Sequence, residues 1–225
     1  MVRILLVFIV RLFLMFGIVV LLFACAKKTS SESDLQNNSA PTTAPSDIAS
    51  AQSKMTKRKL WDRMGKQLTF IQEGSHGPII YDFTDTNCPV CHLIYTTEAR
   101  LINEGKLTVR YVPVAMIKPS SMPEAVAILQ AKDPVGKLQD IEQQIGDSMK
   151  TGKPAHLPRA IVAIGLASQE TIKLTKKIET NDDFLQKIGV NDLPDVIYMP
   201  KEGRLGLITG LISQKQFTAL LPQLQ

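Results

Sequence analysis

Ile79-Ile80-Tyr81-Asp82-Phe83-Thr84-Asp85-Thr86-Asn87-Cys88-Pro89-Val90-Cys91-His92 is the stretch that decides the fold. It opens with a short apolar run bounded by turn residues, which reads as a buried strand. A polar break follows, then Cys-x-x-Cys, then a helical pattern with Leu93, Ile94 and Leu101 on one face. This puts Cys88 at a helix N-terminus and Pro89 at the first helical position, where its missing N–H costs nothing. A thiol there faces unpaired backbone N–H groups and the positive end of the helix dipole, both of which favour the thiolate. Cys91 lies one turn inside, close enough to attack a mixed disulfide formed on Cys88. The spacing predicts a dithiol–disulfide exchanger, with Cys88 as the exposed nucleophile and Cys91 as the resolving thiol. Exchange of this kind needs no bound cofactor.

Three other readings compete. Cys-x-x-Cys-His is also the signature of covalent c-type haem attachment, and His76, His156 and eight Met residues could offer an axial ligand. Against haem, the motif follows a β run in a chain of alternating helices and strands. A structural zinc site needs two more ligands at ordered spacing, whereas no second cysteine pair exists and the other histidines are isolated. The blandest reading is two buried, inert cysteines.

The residues around the motif carry a resemblance. Phe83-Thr84-Asp85…Cys88-Pro89-Val90-Cys91-His92, then Leu107-Thr108-Val109-Arg110-Tyr111, resembles the catalytic domain of the periplasmic disulfide isomerases DsbC and DsbG. Met116-Ile117-Lys118-Pro119, the run Ala125 to Leu129, and Ala131-Lys132-Asp133-Pro134 are similar to the DsbG branch. The resemblance runs from about Ile79 to the C-terminus. It implies an α/β, thioredoxin-like fold, here with a helical insertion over about 118–189. It also implies a cis-proline loop at Leu193-Pro194, facing the cysteine pair, in which the backbone of Leu193 pairs with an extended substrate strand. That family has Thr before the proline, so Leu193 departs from it and the family's redox tuning does not transfer.

The 225 residues, 44% apolar, suffice for one ordinary domain plus extensions. Net charge is +5; Arg3 and Arg11 fall in the leader, and without them 24 basic residues face 21 acidic ones, or +3. No basic cluster is interleaved with aromatics, so no nucleic-acid partner is inferred. Residues 1–24 have the design of an export signal, with early positive charge and an apolar run from Leu12 to Ala24 too short for a membrane span of about 20 residues. Leu22-Phe23-Ala24-Cys25 resembles a bacterial lipobox, which implies lipidation of Cys25; the alternative is an uncleaved N-terminal anchor. Ala26 resembles lipoproteins sorted to the outer membrane. Either way the remainder lies outside the cytoplasm, where disulfides are at home.

Residues 25–54 read as a disordered tether, since Lys27 to Lys54 is rich in Ser, Thr, Asn, Gln, Ala and Pro and holds only Leu35 and Ile48 as large apolar residues. Its reach is roughly 30 Å as a flexible coil. It is too short and polar for the dimerisation domain of the DsbC and DsbG isomerases, which predicts a monomer. The domain proper occupies 55–225. It begins with a helix from Met55 to Lys66 ending at Gly65, then an edge strand from Leu68 to Ile71. The central strand and cysteine helix follow, then a strand from Leu107 to Val114, a succession that favours a parallel crossover. Ser121-Met122-Pro123-Glu124 reads as a capping box, Asp133-Pro134 opens a second helix, and Gly152 breaks it. A further helix runs toward Ile188. The chain closes with strands from Asp195 to Met199 and from Arg204 to Thr209, and a helix capped by Ser213 and Gln216.

Two more residues are singled out. Asp82 stands six residues before Cys88, where thioredoxin has a buried aspartate; it is either a general base for Cys91 acting through one water or a strand-end aspartate satisfied by backbone N–H groups. Asp85 is expected in the exposed loop. His92 is expected on the helix surface, where positive charge would favour the Cys88 thiolate. The expected partners are proteins with cysteines or disulfides, and an electron donor resembling the membrane protein DsbD if the chain acts as a reductase or isomerase. An oxidase with a quinone-coupled partner, and an accessory binding lipoprotein of an envelope machine, are the alternatives.

Overall fold

A computed structural model describes residues 57–225. The export leader, Cys25 and the tether expected over 25–54 lie outside the described residues.

The apolar run forms β2, Ile79–Thr84, the central strand of a five-stranded sheet. With β1 (Ile71–Glu73), β3 (Thr108–Pro113), β4 (Asp195–Tyr198) and β5 (Gly206–Thr209), the order is β1-β3-β2-β4-β5. β2 runs parallel to β3, with Asp82 opposite Tyr111, and antiparallel to β4, with Phe83 opposite Asp195. The outer pairs are antiparallel.

β2 is buried on both faces because its side chains alternate between two apolar layers. Ile80 packs in a cluster with Ile94 and Leu101 of α2 (Pro89–Asn103), Ile141 and Ile145 of α4 (Pro134–Thr151), and Phe217 of α6 (Gln214–Leu220). Tyr81 and Phe83 point the other way, to Met64 of α1 (residues 57–67) and Leu185 of α5 (Gln169–Lys187). Each fully buried aliphatic or aromatic side chain here contributes about 1.5–3 kcal/mol of burial free energy. The helix stops are local. Asp133 Oδ1 accepts the Gly136 N–H at 3.1 Å with Pro134 at the first helical position, and Gly152, at φ 70°, takes the left-handed conformation that ends α4. Ser213 and Gln216 form the reciprocal capping box of α6.

Several expectations need correction. The edge strand lies at Ile71–Glu73 rather than Leu68–Ile71, because only those residues find partners on β3. α1 runs through Gly65 to residue 67. β5 begins at Gly206, two residues later than expected. Between α4 and α5, residues 152–168 are irregular rather than helical. Ser121 is no capping residue: α3 (Ser121–Leu129) is capped by Ser120 without a side-chain bond, and both Ser121 and Glu124 turn into the interior toward the loop before Cys88. Among the described residues, no helix is long and apolar enough to cross a membrane.

Candidate active site

β2 ends at Thr84, and three loop residues lead to Cys88, the N-cap of α2. Asp85 shapes this loop. Its Oδ1 accepts the Asn87 N–H at 2.8 Å and its carbonyl accepts the Cys88 N–H at 2.9 Å. Oδ2 accepts the backbone N–H groups of Met116 (2.9 Å) and Ile117 (3.1 Å), and Ser121 Oγ donates to Oδ1 at 2.7 Å. Asp85 is therefore 3% exposed rather than a free loop residue; it supplies a buried carboxylate to donors that would otherwise be orphaned. Glu124 repeats the pattern one step outward. Its Oε2 accepts from Thr86 Oγ1 at 2.7 Å and Asn87 Nδ2 at 2.9 Å, while Oε1 accepts from Arg159 Nε at 3.0 Å. The cysteine loop is thus fastened to the insertion by two buried carboxylates.

Cys88 Sγ accepts the Cys91 backbone N–H at 3.1 Å, so the sulfur occupies the capping position of the helix. Pro89 is at the first helical position and no acidic residue stands in the first turn. The N-terminal dipole and the N–H groups therefore act on Cys88 without a competing negative charge. The two cysteines are joined as a disulfide with Cα atoms 5.3 Å apart. In this oxidised form Cys88 is 4% and Cys91 1% exposed, so Cys88 is a nearly buried residue rather than the exposed one expected. Val90 and Leu93, on the same helix, and Ile117 beside the loop are exposed apolar residues.

His92 is not a free surface cation. Its Nδ1 lies 2.7 Å from Glu142 Oε2 on α4, and both side chains are largely covered. Gly146, one turn along α4, makes room for the imidazole: a Cβ there would come within 2.9 Å of His92 Nε2. Both cysteine sulfurs are joined in a disulfide, and His76 and His156 are exposed.

Asp82 is fully buried on the face of β2 that α2 covers, and neither of its carboxyl oxygens has a hydrogen-bond partner at normal geometry. The strand-end reading, with backbone N–H groups satisfying it, does not hold. Burial pushes its pKa up to about 8; interaction with Glu98 opposes this, and repulsion from Glu142 and Asp195 adds to it. Glu98 of α2, also fully buried, is held well above the ordinary carboxylate range by burial first and then by Asp82. Tyr111 Oη, across the ladder from Asp82, is likewise buried without a partner. At the other side of β2, the Leu193–Pro194 bond is cis and Pro194 is buried. The β2–β4 register puts it at the same end of the sheet as the loop to Cys88. Asp195, next along, accepts from Thr209 Oγ1 at 2.7 Å.

Residues 65–225 match the model of a thioredoxin-like domain. The chain belongs to the thioredoxin-like domain family. Within that family it is 30% identical over 165 residues to the thiol:disulfide interchange protein DsbG of Escherichia coli K12, covering 73% of this chain and 61% of that one. It is 27% identical to the DsbG of Pseudomonas aeruginosa, covering 73% of this chain and 59% of its relative. The chain thus spans about three fifths of the length of these relatives. Among solved structures, the catalytic domain of Proteus mirabilis ScsC shares the thioredoxin-like fold at a TM-score of 0.51 and 17% identity, covering 73% of this chain and 96% of the other. A transitional conformation of the same protein gives 0.52 at 17% identity, covering 79% and 86%.

Glu98, Tyr111 and Glu142 were not singled out from the sequence, and Glu124 only as part of a capping box. A signal existed for two of them. Glu98 interrupts the apolar stripe Ile94, Tyr95, Leu101 of α2, and Glu142 interrupts Leu138, Ile141, Ile145 of α4; a carboxylate inside such a stripe faces the core.

Proposed function

We propose that this chain is an extracytoplasmic thiol–disulfide oxidoreductase that reduces or isomerises protein disulfides through Cys88 and Cys91. The observation that carries the proposal is the position of Cys88 Sγ at the N-cap of α2, accepting the Cys91 N–H. A thiolate there is stabilised by the same donors before any substrate arrives. Similarity to two thiol:disulfide interchange proteins supports the exchange chemistry, and the resemblance of the sequence to the DsbC and DsbG isomerases favours the reductase or isomerase direction.

The chemistry follows from the geometry. In the reduced protein the Cys88 thiolate attacks a substrate disulfide, forming a Cys88–substrate bond and releasing the first substrate thiolate. Cys91 then gives up its proton, with Asp82 as the base, and its sulfur attacks Cys88 Sγ. The Cys88–Cys91 bond forms, the Cys88–substrate bond breaks, and the second substrate sulfur leaves with the electron pair. The substrate gains two electrons and the cysteine pair loses two. A membrane donor resembling DsbD is the proposed source of reducing equivalents for the next cycle. Exposed Val90, Leu93 and Ile117 offer an apolar rim to the substrate, and the backbone of Leu193 is the proposed partner for its extended strand. The leader and Cys25 support a periplasmic lipoprotein, outer-membrane sorted, whose monomeric domain works at the end of the tether.

The test is reduction of a protein disulfide by the purified chain. Cys88→Ser is expected to abolish turnover, and Cys91→Ser to accumulate mixed disulfides on Cys88. Equal, full activity in both variants overturns the assignment. Alkylation trapping in cells then reads the direction: a mostly reduced pair supports reductase or isomerase flux, a mostly oxidised pair an oxidase.

A further inference from the structure

The chemistry above uses Asp82 and leaves three buried polar groups beside it without a task. Asp82 and Tyr111 are directly opposed across the β2–β3 ladder, so their side chains leave the sheet on the same face. Glu98 follows Cys91 by seven residues on α2, so the two share a stripe, roughly 10 Å apart along the axis, turned to that face. The carboxyl oxygens of Glu98 and Tyr111 Oη, like those of Asp82, are buried without a partner at normal geometry. Glu142 enters from α4 and is the residue common to the lining of two spaces. One is the open groove of about 690 Å³ between α2 and α4, lined also by His92, Arg100 and Lys150. The other is an enclosed void of about 10 Å³ reached by Tyr111, Thr84 and Leu138, close to the room one water needs.

We propose that Glu98, Tyr111 and Glu142 form a proton route that connects buried Asp82 to solvent in the groove between α2 and α4. The proposal rests on the reading of Asp82 as the base for Cys91. Each resolution step leaves on Asp82 the proton taken from Cys91, and Asp82, fully buried, has no direct way to release it. Glu98 accepts that proton on one oxygen as it gives up its own from the other, Tyr111 and a water in the void relay it in the same way, and Glu142 delivers it to the groove beside its partner His92. Reduction of the cysteine pair runs the route inward. The charged neighbours fit a shared proton: Tyr95 and His92 face this group from α2, Glu73 from β1 and Asp195 from β4. Burial raises both Asp82 and Glu98, and places Asp82 at about 8, where its ionised form is still populated near neutral pH and can take up and return a proton.

The experiment is a single-turnover reaction of the full chain with a disulfide-linked peptide pair bearing a different fluorophore on each half. Release of the first half reads attack by Cys88, and release of the second reads resolution by Cys91. Glu98→Gln, Tyr111→Phe and Glu142→Gln keep side-chain shape. Each is expected to slow resolution by roughly tenfold or more and to leave the first release unchanged. In Glu142→Gln, imidazole, small enough to enter the groove, is expected to restore the rate in proportion to its concentration. Asp82→Asn is expected to be slow with or without imidazole. If Asp82→Asn resolves slowly while the three route variants match the parent, the route is wrong and the base stands. If Asp82→Asn resolves at the parental rate, the base fails and the route fails with it. Slowing of the three route variants that spreads equally to the first release, or slowing of Glu142→Gln that imidazole leaves untouched, makes these residues structural and overturns the proposal.

Discussion

Ser121 Oγ donates a 2.7 Å hydrogen bond to Asp85 Oδ1, and through it the loop that carries Cys88 is fastened to the first helix of the insertion. The same carboxylate accepts three backbone N–H groups, from Asn87, Met116 and Ile117. Removing it orphans buried donors on two segments at once, whereas removing Ser121 Oγ takes one donor from the carboxylate and one acceptor each from the Lys118 N–H and from Asn87 Nδ2, which keeps other partners. Asp85→Ala is therefore expected to destabilise the domain by about 3 kcal/mol or more, and Ser121→Ala by about 1–2 kcal/mol. Urea unfolding of the oxidised protein measures both. An Asp85→Ala loss no larger than that of Ser121→Ala contradicts the account.

Gly146 gives a case in which two known effects oppose each other. An alanine in a helix interior ordinarily stabilises by about 0.5–1 kcal/mol over glycine. Here the added Cβ would come within 2.9 Å of His92 Nε2 and 3.0 Å of Cε1, in the pocket that holds the imidazole against Glu142. Overpacking of a covered contact costs about 1–3 kcal/mol, so it outweighs the helix gain. Gly146→Ala is expected to lower stability, and the double variant with His92→Ala to recover the helix gain. A stabilised single variant, measured by thermal melting, shows that the His92 ring yields freely.

Local signals in the sequence were sufficient for the parts of the fold that local chemistry decides. The apolar run became β2, Pro89 and Cys88 opened α2, Asp133-Pro134 opened α4, Gly152 closed it, and Ser213 with Gln216 capped α6. The errors fall where a distant partner outcompetes a local one. Ser121 and Glu124 have the spacing of a capping box, yet Asp85, Thr86 and Asn87, more than thirty residues away in sequence, take both side chains into the interior. Asp85 and His92 look like surface residues because their partners are distant in sequence: Met116 and Ile117 after β3, and Ser121 and Glu142 on the insertion. The site's cysteines were legible because their chemistry depends on spacing within one helix; its buried carboxyls depend on which helix covers which strand.

The proposed lipid anchor is tested on Cys25, which ends the apolar leader. Mass spectrometry of membrane-extracted protein is expected to find Cys25 as a diacylated N-terminus, and Cys25→Ser to release the domain into the soluble periplasmic fraction. An intact Met1 leader in the spectrum establishes the signal-anchor alternative.

The last expectation follows from Asp82 and Glu98 and concerns stability against pH. Both carboxyls hold their proton in the folded protein to a pH well above that at which the unfolded chain loses it, with Asp82 pushed up to about 8 by burial. Between about pH 4 and pH 8 the native state therefore binds more protons than the unfolded state. With that sign, stability falls as pH rises, by up to about 1.4 kcal/mol per pH unit for each such group. The penalty from Asp82 is absent below about pH 4, where both states are protonated, grows across the window, and is complete above about pH 8. Asp82→Asn removes it. The variant is expected to match the slope of the parent below about pH 4, and to gain on the parent steadily from there to pH 8, where the difference levels off. Urea midpoints of the two oxidised proteins across that range provide the measurement. A difference that stays constant with pH shows that Asp82 titrates alike in the folded and unfolded chain.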